Sequence, residues 1–209
     1  MKALPRLYAI ADADVANQAG WTLLDLASSY LAAGASLLQV RAKHLPSGEL
    51  LRLSTEISHR AHAAHAQVIV NDRPDIARLS AADGVHLGQD DLMPAAARAI
   101  VGAGALVGFS THTHLQIDAA VHEPVSYIAI GPVFGTATKS TGYEAVGLDM
   151  VRDAAQRAHA RGLPLVAIGG ITLETAAAVL AAGADSIAVI GDLLATGDPE
   201  ARVRAYLRV

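Results

Sequence analysis

The chain has 209 residues, of which 52% are hydrophobic and 17% are charged, and its formal net charge is −4. This composition allows one domain with a large core, predicted over residues 1–209, and it excludes a general attraction to nucleic acid or membrane surfaces. The absence of cysteine excludes disulfides, thiolate zinc sites and cysteine catalysis. The segment Met1–Ile10 lacks the apolar core of a signal peptide and no apolar run is long enough to span a membrane, so we expect a cytoplasmic protein.

Short apolar runs of strand length recur along the whole chain. They are nearly continuous hydrophobic segments, which is typical of parallel strands that are covered on both faces. Strands are predicted at residues 7–11, 37–41, 67–71, 84–88, 106–110, 126–131, 164–169 and 186–190.

Alanine-rich helical patterns separate these runs. Ser47 and Thr172 stand where helices are expected to start, and Gly34, Gly162 and Gly183 stand where helices are expected to end. Helices are predicted near residues 20–33, 47–65, 93–101, 115–121, 146–161, 172–182 and 198–207, with a short helical turn at 74–80.

The alternation of strand and helix along this short chain predicts a single compact (β/α)8 TIM barrel. An open doubly wound sheet is the alternative. The triplet Ala-Gly-Ala stands before a predicted strand at 33–35, 103–105 and 182–184, which supports a repeated unit. In a barrel, the polar residues that follow each strand would meet on one rim, where the enzymes of this fold have their active sites.

Two aspartates follow neighbouring predicted strands. Asp72 comes after the third strand and Asp91 after the fourth. Mg²⁺ is commonly bound by one or two carboxylates, with substrate phosphates and waters completing the octahedron, so the pair is a candidate metal site. The alternative is structural: Asp72 would belong to a turn or helix start, and Asp91 would cap the helix that follows.

Cationic and hydroxyl side chains follow two other predicted strands. Arg41 and Lys43 come after the second strand, and Lys139 follows the sixth together with Thr136 and Thr138. Such groups on one rim would form a binding site for phosphate or carboxylate anions. Solvated surface charge is the alternative for the cations.

Glycines follow the last two predicted strands. Gly169-Gly170 and Ile190-Gly191 fall where barrels commonly bind phosphate through backbone N–H groups, although glycine pairs also occur in ordinary turns. Within the fourth strand, His86 alternates with apolar neighbours, so it is predicted to point into the barrel as a structural histidine. The roles of His112 and His114 stay open.

These residues lie in segments that resemble the thiamine-phosphate synthase family, in order and over nearly the whole chain. Six matched segments together make the resemblance specific. They are Gln39–Lys43, Val70–Arg73, Asp83–Asp91, Gly108–His112, Gly131–Lys139 and Ala167–Ile171.

The resemblance implies a (β/α)8 barrel enzyme that joins a pyrimidine methyl diphosphate to a thiazole phosphate. Diphosphate leaves from an exocyclic CH2 group whose developing positive charge the aminopyrimidine stabilises, and the thiazole nitrogen attacks that carbon. If the thiazole is carboxylated, CO2 is lost as well. No protein nucleophile is needed, so the protein must hold two anionic substrates and stabilise the departing oxygen.

The resemblance also implies roles for individual residues. Among those that would hold the pyrimidine diphosphate, Arg41, Lys43, Ser110 and Lys139 are the predicted catalytic groups. The complete set for this substrate is Gln39, Arg41, Lys43, Asn71, Ser110 and Lys139.

Mg²⁺ is the cofactor implied by the resemblance, with Asp72 and Asp91 as its ligands. Gly191 stands where the family often has a serine, which removes one hydroxyl from the second substrate site. The predicted thiazole phosphate residues are Thr136, Thr138, Gly170, Ile190 and Gly191.

Three functional hypotheses follow. The first is a Mg²⁺-dependent transferase that makes thiamine phosphate from small phosphorylated substrates, with neither nucleic acid nor membrane as a partner. The second is a thiazole tautomerase, which would need no diphosphate site; retention of Asp72, Asp91 and Lys139 argues against it. The third is a barrel that binds thiamine phosphate without catalysis. The oligomeric state stays open.

Overall fold

The structure, a computed structural model, describes residues 4–135 and 143–209. Eight parallel strands form a closed barrel in chain order, with β8 pairing β1, and this confirms the predicted (β/α)8 fold. The strands are β1 Leu7–Asp12, β2 Leu37–Arg41, β3 Gln67–Asn71, β4 Gly84–Leu87, β5 Leu106–Thr111, β6 Tyr127–Ile130, β7 Leu165–Ile168 and β8 Ser186–Val189.

Helices lie between successive strands, as the sequence pattern predicts. Each covers part of the outer surface of the barrel with its apolar face. They are α1 Ala13–Gln18, α2 Leu23–Ala32, α3 Ser47–Ala63, α4 Pro74–Leu79, α5 Pro94–Val101, α6 His114–Ala120, α7 Gly147–His159, α8 Leu173–Ala181, the 3-10 turn Gly191–Leu194 and α9 Pro199–Tyr206.

The strands bury both of their faces in two separate apolar layers. Outward side chains such as Val40 and Val68 pack against the helices, whereas inward side chains such as Ile10 and Ile69 fill the barrel. This two-sided burial explains why the strands are nearly continuous hydrophobic runs instead of alternating ones.

Local differences from the predicted elements have identifiable causes. The helix predicted at 20–33 is confirmed as α2, which begins after its cap Thr22, whereas α1, capped by the Asp12 side chain, was not predicted. Pro46, without a side-chain cap, precedes α3, whereas Thr172 does cap α8. The 3-10 turn after β8 was not predicted, since four residues carry too little periodicity to be recognised.

Candidate active site

The carboxyl ends of the strands surround a cavity of about 390 Å³. Its lining residues come from all eight strands and from loops that follow them, but Lys43, Asp72 and Asp91 are not among them. The predicted site residues that line it are Gln39, Arg41, Asn71, Ser110, Gly170, Ile190 and Gly191.

Three charged residues lie together on the rim after β2, β3 and β4. The Lys43 ammonium is 3.1 Å from an Asp72 carboxylate oxygen. An Asp91 carboxylate oxygen accepts the Gly88 backbone N–H at 2.7 Å. Partial burial raises the pKa of the Asp91 carboxyl; the Gly88 amide opposes this change, and the adjacent Asp72 carboxylate adds to it. The two carboxylates are therefore close enough to repel each other.

The structural alternative is wrong for Asp91, which does not cap α5, whereas Asp72 does lie in a bend just before α4. Arg73 precedes α4 and Met93 precedes α5, and neither helix has a side-chain cap. Asp72 has a left-handed backbone (φ 62°), and its N–H donates to the His86 carbonyl at 2.8 Å. Such a conformation in a non-glycine residue is uncommon, and strained residues of this kind concentrate at functional sites.

The donor set on this rim fits a hard divalent cation. Two carboxylates that repel each other offer only oxygen atoms, and a bound cation would relieve their repulsion. In residues 4–135 and 143–209, no group of three His, Asp or Glu side chains could hold a metal. An ion here would therefore take its remaining ligands from substrate and water, which is the usual mode for Mg²⁺.

Arg41 is held at the mouth of the cavity by a buried carboxylate. Its guanidinium forms an ion pair with Asp12, whose side chain is 2% exposed. The other Asp12 oxygen accepts the backbone N–H groups of Asp14 and Val15, both at 3.0 Å. Asp12 thus caps α1 and orients Arg41 at once. Sequence analysis missed Asp12, although an aspartate at a strand end before a helical run is a recognisable signal.

A chain of buried hydrogen bonds crosses the floor of the cavity. Gln39 Nε2 donates to the Tyr8 hydroxyl at 2.8 Å, and that hydroxyl is 3.1 Å from the Tyr127 hydroxyl. The Tyr127 hydroxyl is 3.0 Å from His86 Nδ1, and His86 Nε2 is 2.8 Å from Ser110 Oγ. The predicted inward direction of His86 is confirmed. Both tyrosines were missed, although each stands two residues before another inward side chain of its strand.

Glycine backbone forms the opposite wall of the cavity. Gly169 and Gly170 both have left-handed backbones (φ 102° and 64°). A Cβ atom on Gly170 would lie 2.5 Å from the Gly135 carbonyl oxygen, so only glycine fits without a shift of backbone. Gly170 and Gly191 both line the cavity, and small residues there leave backbone groups open to a ligand.

The 3-10 turn beside this wall is anchored by a buried ion pair. Arg202 of α9 donates to both carboxylate oxygens of Asp192, from Nη2 to Oδ2 at 2.8 Å and to Oδ1 at 3.0 Å. The Tyr206 hydroxyl and the Leu173 N–H donate to the same carboxylate. Asp192 follows Gly191 directly, so α9 determines where this part of the cavity wall lies. Nothing local in the sequence indicated this pairing.

Three predicted site residues, Thr136, Thr138 and Lys139, lie outside the described residues. Of the open histidines, His112 lines the cavity and its ring stacks on Tyr143 with centroids 4.0 Å apart. His114 Nδ1 instead lies 2.8 Å from Asp153 on α7.

Comparison with known proteins gives one consistent family. The profile of thiamine monophosphate synthase matches residues 7–193. A thiamine-phosphate synthase of Koribacter versatilis is 44% identical, over 99% of this chain and 96% of that protein. One of Methanospirillum hungatei is 40% identical, over 96% and 95%. The solved thiamine phosphate pyrophosphorylase of Pyrococcus furiosus is similar with a TM-score of 0.85 at 27% identity, over 97% of this chain and 94% of that one.

Proposed function

We propose that this chain, which belongs to the thiamine monophosphate synthase family, forms thiamine phosphate in a reaction that depends on Mg²⁺. It is a transferase, and it joins a pyrimidine methyl diphosphate to a thiazole phosphate with release of diphosphate. A carboxylated thiazole would lose CO2 in the same reaction. The observation that carries the metal dependence is the contact of Lys43, Asp72 and Asp91 on the rim next to the cavity.

The first substrate would lie across β2 to β5. Gln39, Asn71 and Ser110 line this side of the cavity and would orient the pyrimidine. Arg41 and Lys43 would bind the diphosphate, and Lys139 is expected to join them. Three cations around one leaving group stabilise the negative charge that develops on the departing oxygen.

Asp72 and Asp91 would hold Mg²⁺ beside that diphosphate. The bound ion would neutralise phosphate charge and polarise the departing oxygen. The Lys43 ammonium, 3.1 Å from Asp72, would orient that carboxylate and partly balance its charge when the ion is absent. Because two carboxylates supply few ligands, the metal and the diphosphate should bind in a mutually dependent way.

The second substrate would lie against the glycine wall. Gly170, Ile190 and Gly191 line the cavity there, and their backbone groups would bind the thiazole phosphate together with Thr136 and Thr138. Exclusion of water from the gap between the two rings, together with their fixed orientation, would supply much of the remaining rate enhancement.

One assay tests the proposal directly. Purified protein is incubated with both substrates and Mg²⁺, and thiamine phosphate and diphosphate are measured with and without a chelator. We expect equal amounts of both products. Neither should form in the presence of the chelator, and added Mg²⁺ should restore the formation of both. If the products still form in the presence of the chelator, the reaction does not depend on Mg²⁺. Thiazole isomerisation without diphosphate release would indicate a tautomerase, and ligand binding without turnover would indicate a binding protein.

The proposed partners are small phosphorylated molecules. In the described ranges, no helix is long and apolar enough to cross a membrane. The cytoplasmic location and the single-domain organisation inferred from sequence stay predictions, and the oligomeric state stays open.

A further inference from the structure

The hydrogen-bonded chain on the floor of the cavity links two residues of the proposed pyrimidine site, Gln39 and Ser110, through three other side chains. It runs through Gln39, Tyr8, Tyr127, His86 and Ser110, which come from five different strands. Gln39, Tyr8, His86 and Ser110 line the cavity and Tyr127 does not, and the three intermediate residues are 9% exposed or less. The intermediate residues are therefore in a position to control how the two end residues present their polar atoms.

Each member of the chain has a limited set of donors and acceptors. The Gln39 amide nitrogen can only donate, and it donates to Tyr8. Burial raises the pKa of the Tyr8 and Tyr127 hydroxyls well above the ordinary value, so each keeps one proton to donate at physiological pH. Because Tyr8 accepts the Gln39 proton, its own proton is available to the Tyr127 hydroxyl 3.1 Å away.

The same reasoning gives the donor and acceptor roles of the hydrogen bonds on either side of His86. With this direction, Tyr127 would accept from Tyr8 at 3.1 Å and donate to His86 Nδ1 at 3.0 Å. A neutral imidazole that accepts at Nδ1 has its proton on Nε2, and that proton would be donated to Ser110 Oγ 2.8 Å away. The Ser110 hydroxyl then directs its own proton away from His86, and the cavity lies on that side. At the other end, the Gln39 carbonyl oxygen is left to accept from the cavity.

Packing holds the chain in this geometry. The His86 and Tyr127 rings are stacked with centroids 5.6 Å apart, and the Tyr8 and Tyr127 rings meet edge to face at 6.1 Å. Gly108 makes the room for them, because a Cβ atom there would lie 2.1 Å from Tyr127 Cζ and 2.5 Å from His86 Nδ1.

We propose that Tyr8, Tyr127 and His86 are positioning residues that polarise this chain in one direction, so that Ser110 presents a donor and Gln39 an acceptor to the pyrimidine diphosphate. The inference rests on the proposed function for its substrate, but the direction of the chain is a property of the resting protein. The aminopyrimidine must release electron density as the diphosphate departs. An acceptor facing its amino group at one end and a donor facing the leaving group at the other would both favour that departure.

The direction of the chain is measured by ¹⁵N NMR of histidine-labelled resting protein. His86→Asn identifies the His86 signals among the nine histidines. We expect His86 to be a single neutral tautomer with its proton on Nε2. Tyr127→Phe removes the donor to Nδ1 without removing any proposed substrate contact, so we expect the proton to distribute over both nitrogens. A proton confined to Nδ1 in the unmodified protein, or a charged imidazole, would overturn the proposal.

Kinetics separate positioning from a purely structural role. In Tyr127→Phe, kcat should fall about tenfold while KM for both substrates stays within about twofold, since one oriented hydrogen bond is lost and no contact is. The matched control is Tyr30→Phe, because Tyr30 is also fully buried and its hydroxyl has no hydrogen-bond partner among the described residues. An equal fall in kcat for Tyr30→Phe, or an unchanged kcat and His86 tautomer in Tyr127→Phe, would contradict the proposal.

A second variant covers the case in which Tyr127→Phe does not fold. Tyr8→Phe breaks the chain one bond further from His86, and the same changes should appear with smaller size. Failure of the proposed function would be seen separately, as the absence of thiamine phosphate in an otherwise intact protein. The NMR result on the resting protein would still decide the direction of the chain.

Discussion

The ammonium of Lys43 and the carboxylate of Asp72 are 3.1 Å apart, although one follows β2 and the other follows β3. The Asp91 carboxylate lies next to this pair. A cation and two carboxyl groups therefore lie together on the rim beside the cavity, and with both carboxyls ionised the arrangement has one negative charge in excess. A divalent cation bound here would compensate this excess and would also attract the anionic diphosphate.

Replacing one of these carboxylates should separate activity from stability. Asp91→Asn keeps an oxygen that accepts the Gly88 N–H but removes the charge that faces Asp72. Diphosphate release with Mg²⁺ should fall at least about 100-fold, whereas the unfolding temperature without Mg²⁺ should be unchanged or higher, because a repulsion is removed. Exposed Asp90 is the matched control, and Asp90→Asn should keep its activity. Equal activity loss in both variants would rule out a specific role for Asp91.

Removal of Asp12 should affect both the fold and the first substrate. Asp12→Ala leaves the Arg41 guanidinium without its partner and removes the cap of α1. Loss of one partner of a buried ion pair should lower the free energy of unfolding by about 3 kcal/mol, measured by urea denaturation. KM for the pyrimidine diphosphate should rise, because Arg41 is no longer oriented. The neighbouring exposed Asp14 serves as control, since Asp14→Ala should cost less than about 0.5 kcal/mol.

The ion pair between α9 and the 3-10 turn should matter mainly for the second substrate. Arg202→Met leaves the Asp192 carboxylate largely buried without its cation, which should cost about 3 kcal/mol of stability. KM for the thiazole phosphate should rise, and KM for the pyrimidine diphosphate should not change. Arg204→Ala, on the same helix with an exposed i,i+4 partner, should change stability by less than about 0.5 kcal/mol. Equal increases in both KM values would argue against a local effect on the glycine wall.

The glycine wall itself should not tolerate a side chain. Gly170→Ala would place a Cβ atom 2.5 Å from the Gly135 carbonyl oxygen on a left-handed backbone. We expect a loss of about 1–3 kcal/mol in stability and a weaker affinity for the thiazole phosphate, measured by denaturation and by titration. Gly48 lies in α3 with no atom near the position of an added Cβ, so Gly48→Ala should be neutral or stabilising. A Gly170→Ala protein with unchanged affinity would show that this backbone does not contact the substrate.

Much of the architecture could be predicted because each part depends on residues close together in the chain. The strand Leu37–Arg41 is an apolar run of strand length, and the helix that begins at Ser47 has its own local pattern. The prediction failed where local signals were short, as at the 3-10 turn after β8. The short helix α1 was not predicted, because it has only six residues and its cap at Asp12 was overlooked.

The sequence predicted which residues lie on the rim of the barrel, but it did not predict which side chains pair with them. Arg41, Asn71 and Ser110 line the cavity because strand ends of a parallel barrel must meet there. Their individual roles as ligands and catalysts stay predictions. Asp192 was not predicted, because the residue that pairs with it, Arg202, lies on a different element. What a carboxylate at this position contributes to stability depends on that ion pair.

The amino-acid sequence by itself determined the periodic succession of strands and helices, and with it the barrel and the edge at which polar residues gather. Only the tertiary structure decided that Tyr8 and Tyr127, separated by 119 positions, share a hydrogen bond inside the barrel. The reason is physical: burial on one face of a strand is visible in a short stretch of sequence. The identity of a buried polar group's partner depends on closure of the whole sheet, which brings β1, β2, β4, β5 and β6 around one interior.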